Sequence, residues 1–274
     1  MLQGGNDMSG CNHDCSNCNE NCASRDKTSF IINPSNASNI KKTIAVISGK
    51  GGVGKSSVTS LLAVQALNKG KKVAIIDADI TGPSIPKCFN VHDMLEGDGQ
   101  YIYPSESKRG VKIVSANLML DNETDPIVWR GPMIASMVKQ FYTDVAYGDV
   151  DYLFIDMPPG TGDVALTVFQ YIKIDGLVLV TTPQDLVSMI VAKAIKMANM
   201  MDIPILGIVE NMSYAICPHC NEPIHIFGQS KLEDVAKQYN LKVLGKIPFD
   251  QRLAKACDDG NIENIEDTYF DLEL

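Results

Sequence analysis

Residues Gly49-Lys50-Gly51-Gly52-Val53-Gly54-Lys55-Ser56 follow the apolar run Thr43–Ser48 and open a helical pattern that starts at Lys55. In that context a G-x-x-x-x-G-K-[ST] loop is a phosphate binder. The glycines let backbone N–H groups turn inward around phosphate oxygens, and the helix N-terminus adds positive potential. Lys55 has the reach for the β- and γ-phosphates, and the Ser56 hydroxyl is placed for Mg²⁺. Gly49 to Ser57, Val53 included, is therefore the expected ATP-binding segment.

Two acidic strand ends accompany the loop. Ile75-Ile76-Asp77-Ala78-Asp79 closes one apolar run. Tyr152-Leu153-Phe154-Ile155-Asp156 closes another with its acid at the carboxyl end, where ligands of parallel sheets bind. Asp156 is expected to hold the Mg²⁺ shell, and Pro158–Asp163 to form a switch that senses the γ-phosphate.

Cysteine is the second chemical signal. Of eight cysteines, Cys11, Cys15, Cys18 and Cys22 fall within twelve residues of a segment with almost nothing apolar. In a cytosolic chain such spacing points to metal rather than disulfides. On geometry alone it suits an iron–sulfur cubane or a zinc ion equally. Cys217-Pro218-His219-Cys220 brings two more thiolates close together, too few to complete four-coordination. One solution adds His225 as a third ligand of zinc, the default metal for this motif by itself. The other is a symmetric dimer whose two copies supply four cysteines to one cluster on the two-fold axis. Cys88 and Cys257 read as ordinary buried cysteines.

The elements that must position these groups alternate along the chain. Short β-branched runs occur at Thr43–Ser48, Lys72–Asp77, Val111–Ser115, Tyr152–Asp156, Gly176–Thr181, Ile205–Glu210 and Lys242–Ile247. Amphipathic stretches lie between them at Lys55–Asn68, Pro132–Tyr147, Asp185–Met200 and Gln229–Tyr239. Such alternation predicts an α/β, doubly wound, mostly parallel sheet flanked by helices. Residues 1–40 lack periodicity and read as a disordered cysteine tail and linker, 41–257 as the P-loop ATPase domain, and 258–274 as a loosely packed acidic tail.

Composition narrows the function. Apolar residues make up 45% of 274 and charged residues 21%, as in a globular protein. The net charge of −9 argues against a general nucleic-acid or anionic-membrane binder. No apolar run approaches the ~20 residues of a membrane span, and the first ten residues do not read as a signal peptide. The expected compartment is the cytoplasm.

Lys50, a second lysine near the start of the loop, resembles the deviant Walker A group of P-loop ATPases, which includes the nitrogenase iron protein and the Min and ParA ATPases. The wider set of motifs is similar to the Mrp/ApbC family of iron–sulfur carriers and scaffolds. It comprises Gly49–Ser57, Asp77–Pro86, Trp129-Arg130-Gly131-Pro132, Asp156–Asp163, Glu210-Asn211-Met212-Ser213 and Cys217–Cys220. The resemblance implies a homodimer in which Lys50 crosses to the partner's nucleotide. It implies that Asp79 positions the attacking water, with Asp77 in the same switch, and that Asn211 and the Pro248-Phe249-Asp250 turn contact adenine. It further implies that paired Cys217 and Cys220 bridge a [4Fe–4S] cluster, held for apo-protein acceptors and supplied by cluster-assembly donors. The tail cysteines resemble the four-cysteine extension of the eukaryotic scaffolds, with tighter spacing. The alternatives are an ATP-gated electron donor like the nitrogenase iron protein, and a Min/ParA-type partitioning ATPase.

Overall fold

The strand that carries the phosphate loop is longer than its apolar run. β1 spans Ser38–Ser48 and pairs in parallel with β7 (Gly148–Asp156) from Ser38↔Gly148 onward. Its first residues are polar because they lie at the open end of the sheet. There Asn39 Nδ2 donates to Asp149 at 3.0 Å and Lys41 pairs with Asp151 at 2.6 Å. The globular body accordingly begins before residue 41, since Ser35 is already buried and its hydroxyl lies 3.3 Å from that of Ser38. The computed structural model describes residues 30–80, 82–120, 131–160, 162–184 and 189–270. The expectations for Cys11, Cys15, Cys18 and Cys22 and for Trp129-Arg130 lie outside the described residues.

After β1 come α1 (Lys55–Asn68), β2 (Val73–Asp77), the short α2 (Ile85–Cys88), and small strands β3 (Glu96–Gly97), β4 (Ile102–Tyr103) and β5 (Ser105–Glu106). β6 (Lys112–Ser115), α3 (Gly131–Thr143), β7, α4 (Asp163–Tyr171), β8 (Gly176–Thr181), α5 (Met189–Met200) and β9 (Ile205–Glu210) follow. The hairpin β10 (Ala215–Ile216) and β11 (Pro223–Ile224) precedes α6 (Leu232–Tyr239), β12 (Val243–Lys246) and α7 (Gln251–Asp258). The main sheet runs β12-β9-β8-β1-β7-β2-β6-β5, parallel except for the β5–β6 pair.

Both faces of this sheet are apolar. Ala45, Ile47, Leu153 and Ile155 point into a core shared with α3, α4, α5 and α6. Ile44, Val46, Tyr152 and Phe154 point into the opposite core with α1, α2 and α7. This double burial is why the parallel strands read as continuous apolar runs. It also puts the carboxyl ends of β1, β2 and β7 side by side, with Asp77 and Asp156 register partners.

The segment after α7 departs from the expected loose tail. Ile262 and Phe270 are buried, and buried Glu263 accepts the Ser107 hydroxyl at 2.6 Å. Arg109 Nη1 donates to the Glu263 carbonyl at 2.7 Å, and Gln65 Nε2 to that of Phe270 at 3.1 Å. The few apolar residues among the acids close the core behind α1, so residues 259–270 belong to the globular body.

Candidate nucleotide and cysteine sites

The phosphate loop turns between β1 and α1 through two left-handed glycines, Gly52 (φ 81°) and Gly54 (φ 76°). Gly54 is required twice over, because a Cβ there would also collide with the Asn211 side-chain amide. That amide is held against the loop, Asn211 Nδ2 donating to the Val53 carbonyl at 2.9 Å. The loop borders a cleft of about 260 Å³ whose lining includes Lys50, Gly51, Gly52, Lys55, Ser56, Ser57, Asp79 and Pro159. The Ser48 hydroxyl donates to the Lys50 carbonyl at 2.9 Å, and Gly160 N to the Ser48 carbonyl at 2.9 Å, which ties the β7 switch to the loop.

Inside the cleft the polar groups satisfy one another. Lys55 Nζ lies 2.7 Å from Asp156 Oδ2 and 3.8 Å from Asp79 Oδ2. The Ser56 hydroxyl donates to Asp156 Oδ2 at 2.6 Å. Thr59 donates to Asp156 Oδ1 at 2.7 Å and to the Lys55 carbonyl at 3.0 Å. Thr59 escapes a motif search, although its spacing of four from Lys55 puts it on the same helix face. Fully buried Asp77 accepts from the backbone N–H groups of Asp79, Ser84 and Ile85 at 3.1–3.2 Å, and so shapes the segment that presents Asp79. Burial, and secondarily the Asp156 carboxylate, push Asp77 up to about 8 against the opposing pull of Lys55.

Of the residues expected at adenine, Asn211 braces the phosphate loop from below. Asp250 caps α7 by accepting Arg252 N at 2.8 Å and pairs with the Arg252 guanidinium at 2.7 Å, which lowers its carboxyl below the usual range. Pro248 precedes exposed Phe249, whose N–H donates to the Tyr214 carbonyl at 2.6 Å.

The cysteine pair sits at the tip of the β10–β11 hairpin. Cys217 N donates to the Glu222 carbonyl at 3.0 Å and Asn221 N to the Cys217 carbonyl at 2.9 Å, with Asn221 left-handed at φ 58°. Backbone N–H groups of Cys220 and His219 point at the Cys217 sulfur and lower its thiol below the ordinary range. Cys217 is half-buried and Cys220 exposed. Among the described residues no three His, Cys, Asp or Glu side chains form a metal-binding group. The one-chain zinc set Cys217, Cys220 and His225 is therefore not assembled. His225 turns its Nδ1 into the protein without a hydrogen-bond partner.

Glu210, missed at the sequence level as a functional group, anchors this loop at both ends. Fully buried at the end of β9, it accepts the hydroxyl of Ser213 and, at 3.0 Å, that of Ser230. With Asn211 on the phosphate loop, one short segment joins the nucleotide cleft to the cysteine hairpin.

A glycine loop between a central parallel strand and a buried helix, faced by strand-end carboxylates, defines the class as a P-loop nucleoside triphosphatase. Over residues 39–270 the chain matches the family described as ParA: NUBPL iron-transfer P-loop NTPase, and it belongs to that family. It is 43% identical over 237 residues to the iron-sulfur cluster carrier protein of Clostridium perfringens, covering 84% of this chain and 83% of that one. It is 42% identical over 237 residues to the cytosolic Fe-S cluster assembly factor NUBP2 homolog of Nematostella vectensis, covering 84% and 87%. Among solved structures, a nucleotide-binding protein from Archaeoglobus fulgidus in complex with ADP superposes with a TM-score of 0.74 at 44% identity, covering 82% of this chain and 88% of that one.

Proposed function

We propose that this protein is an ATP-hydrolysing iron–sulfur carrier. Two copies hold one [4Fe–4S] cluster between their Cys217/Cys220 pairs and deliver it to apo-proteins in the cytoplasm. The observation that carries the reading is a hydrogen-bonded, outward-facing turn with two thiol ligands, joined through Asn211 and Glu210 to a phosphate cleft. Two such turns related by a two-fold axis complete four-coordination. Exposed Ile216, Ile224, Ile226 and Phe227 flank the pair in sequence and supply apolar surface for a second copy.

ATP enters as substrate. Lys55 leaves Asp156 for the β/γ-phosphates, and the backbone N–H groups of Gly49–Ser57 cradle them. The hard oxygens of Ser56 and Asp156 suit Mg²⁺, which neutralises phosphate charge when bound. Asp79 orients the attacking water, and Lys50 reaches across the dimer to the partner's nucleotide. Asn211, Pro248 and Asp250 flank the base. Phosphoryl transfer here is mostly positioning and charge stabilisation, so turnover is slow and timed by acceptors and cluster donors. The tail cysteines Cys11, Cys15, Cys18 and Cys22 are a second ligand set for a metal or cluster.

Anaerobic reconstitution tests the reading. Iron and sulfide are counted per dimer beside a zinc assay, followed by transfer to an apo acceptor. The bridging cluster should be lost in Cys217→Ala and Cys220→Ala while ATP binding persists. A full iron complement at this site in a sedimenting monomer overturns the bridge. A cluster retained in the presence of acceptor throughout turnover favours an electron donor instead.

A further inference from the structure

Cys88 and Cys257, far apart in sequence, meet behind the phosphate loop. Cys88 ends α2 and is 5% exposed, while Cys257 is next to last in α7 and half-buried. Each of the two sulfurs is the other's foremost electrostatic neighbour, and the Ser60 side chain adjoins Cys88. Cys257 Sγ lies 3.8 Å from the Ser57 hydroxyl. Both sulfurs thus pack against the first turns of α1, directly after Ser56. On the outer side Lys87 and Asp258 pair at 3.1 Å and hold the same two helices together.

The two sulfurs are unequal. Donation to its neighbour and burial push the Cys88 thiol far up. The bond from Cys88, with help from Ser57, brings Cys257 down to about 7. The more accessible Cys257 thus has the more acidic thiol and buried Cys88 the less acidic one, the division of labour between an attacking and a resolving cysteine.

We propose that Cys88 and Cys257 are a redox-active dithiol that takes a hydroperoxide as oxidant and closes to an intrachain disulfide, tying α2 to α7. The Cys257 thiolate attacks the distal peroxide oxygen and breaks the O–O bond. This gives a sulfenic acid and an alkoxide, or hydroxide, that leaves as alcohol or water after taking a proton. The Cys88 sulfur then attacks the sulfenic sulfur, its proton leaves with the hydroxyl as water, and the S–S bond forms. Two thiols lose two electrons, and the peroxide gains them.

The bond has a mechanical consequence. α2 is tied through Asp77 to the segment presenting Asp79, and α7 begins at the Pro248–Asp250 turn. A covalent link between these helices restrains both borders of the nucleotide site, so closure around ATP slows. The inference is independent of the cluster reading, because it needs neither Cys217 nor Cys220.

The test uses the full chain, reduced and metal-free, treated with hydrogen peroxide, alkylated, digested and analysed by mass spectrometry. The expected products include a cross-link between the peptides of Cys88 and Cys257, cleaved by dithiothreitol. ATP turnover should fall at least about threefold in the oxidised chain and recover on reduction. Cys257→Ser should keep its turnover under peroxide, and Cys88→Ala should instead accumulate a dimedone-reactive sulfenic acid at Cys257. Full alkylation of both cysteines after peroxide overturns the dithiol. Equal turnover of the disulfide and reduced forms, or an equal peroxide loss in Cys257→Ser, overturns the restraint.

Discussion

Lys55 sits among three aspartates, and its role before nucleotide arrives is mainly to balance Asp156. It is 6% exposed, 2.7 Å from Asp156, and opposes the upward push on buried Asp77. Lys55→Ala should therefore do more than weaken phosphate binding. Leaving a buried carboxylate without its cation destabilises the nucleotide-free protein by about 3 kcal/mol. Urea unfolding checks this, and Asp156→Asn in the same chain should recover part of the loss. Asp79 is different, because it is more open to the cleft and its contact with Lys55 is longer, at 3.8 Å. A group that acts mainly in the transition state lowers turnover without lowering affinity. Asp79→Asn should keep ATP affinity within about threefold and lose about 100-fold in turnover, measured by equilibrium binding and phosphate release.

At the scale of elements, the segment from Asn211 to Ser230 is what joins the two sites. It is short of regular structure and leans on Glu210, which takes hydroxyls from Ser213 and Ser230 in a fully buried position. Removing that carboxylate strands two hydroxyls and leaves a void. Glu210→Ala should destabilise the protein by about 2 kcal/mol and speed amide hydrogen exchange across residues 213–230. Exchange in α1 should be unchanged. If the hairpin exchanged at the parental rate, Glu210 would not be its anchor. The cysteine turn itself is shaped locally. Asn221 supplies a left-handed corner and the backbone N–H groups of residues 219 and 220 converge on Cys217.

Over the whole molecule, the chain end seals the core on the α1 side. α1 is buried nearly all round, against the sheet on one side and α2, α7 and the C-terminal segment on the other. Phe270 is 4% exposed, and its carbonyl takes the Gln65 amide. Phe270→Ala should lower stability by about 3 kcal/mol in denaturant unfolding, an effect a solvated tail would not show. Because α1 carries Lys55, Ser56 and Thr59, the same variant should also weaken ATP binding modestly.

Much of this was legible in the residues alone. α1, β8 and β9 occupy the expected ranges, since buried parallel strands and a helix opened by a glycine loop leave strong local signals. The phosphate loop, the strand-end acids and the cysteine pair are likewise local, set by spacing within a few residues. The start of β1 was hidden because its polar first half answers to Asp149 and Asp151, more than a hundred residues away. α4 and α7 went unread as helices, being short and partly polar. The acidic end looked solvated because composition cannot show that Ile262 and Phe270 find a core. Thr59 on Asp156, Glu210 beneath the cysteine loop and the meeting of Cys88 with Cys257 are contacts between distant segments. Local chemistry is written in neighbouring residues, but which distant groups share a buried space is decided only when the sheet brings its strand ends together.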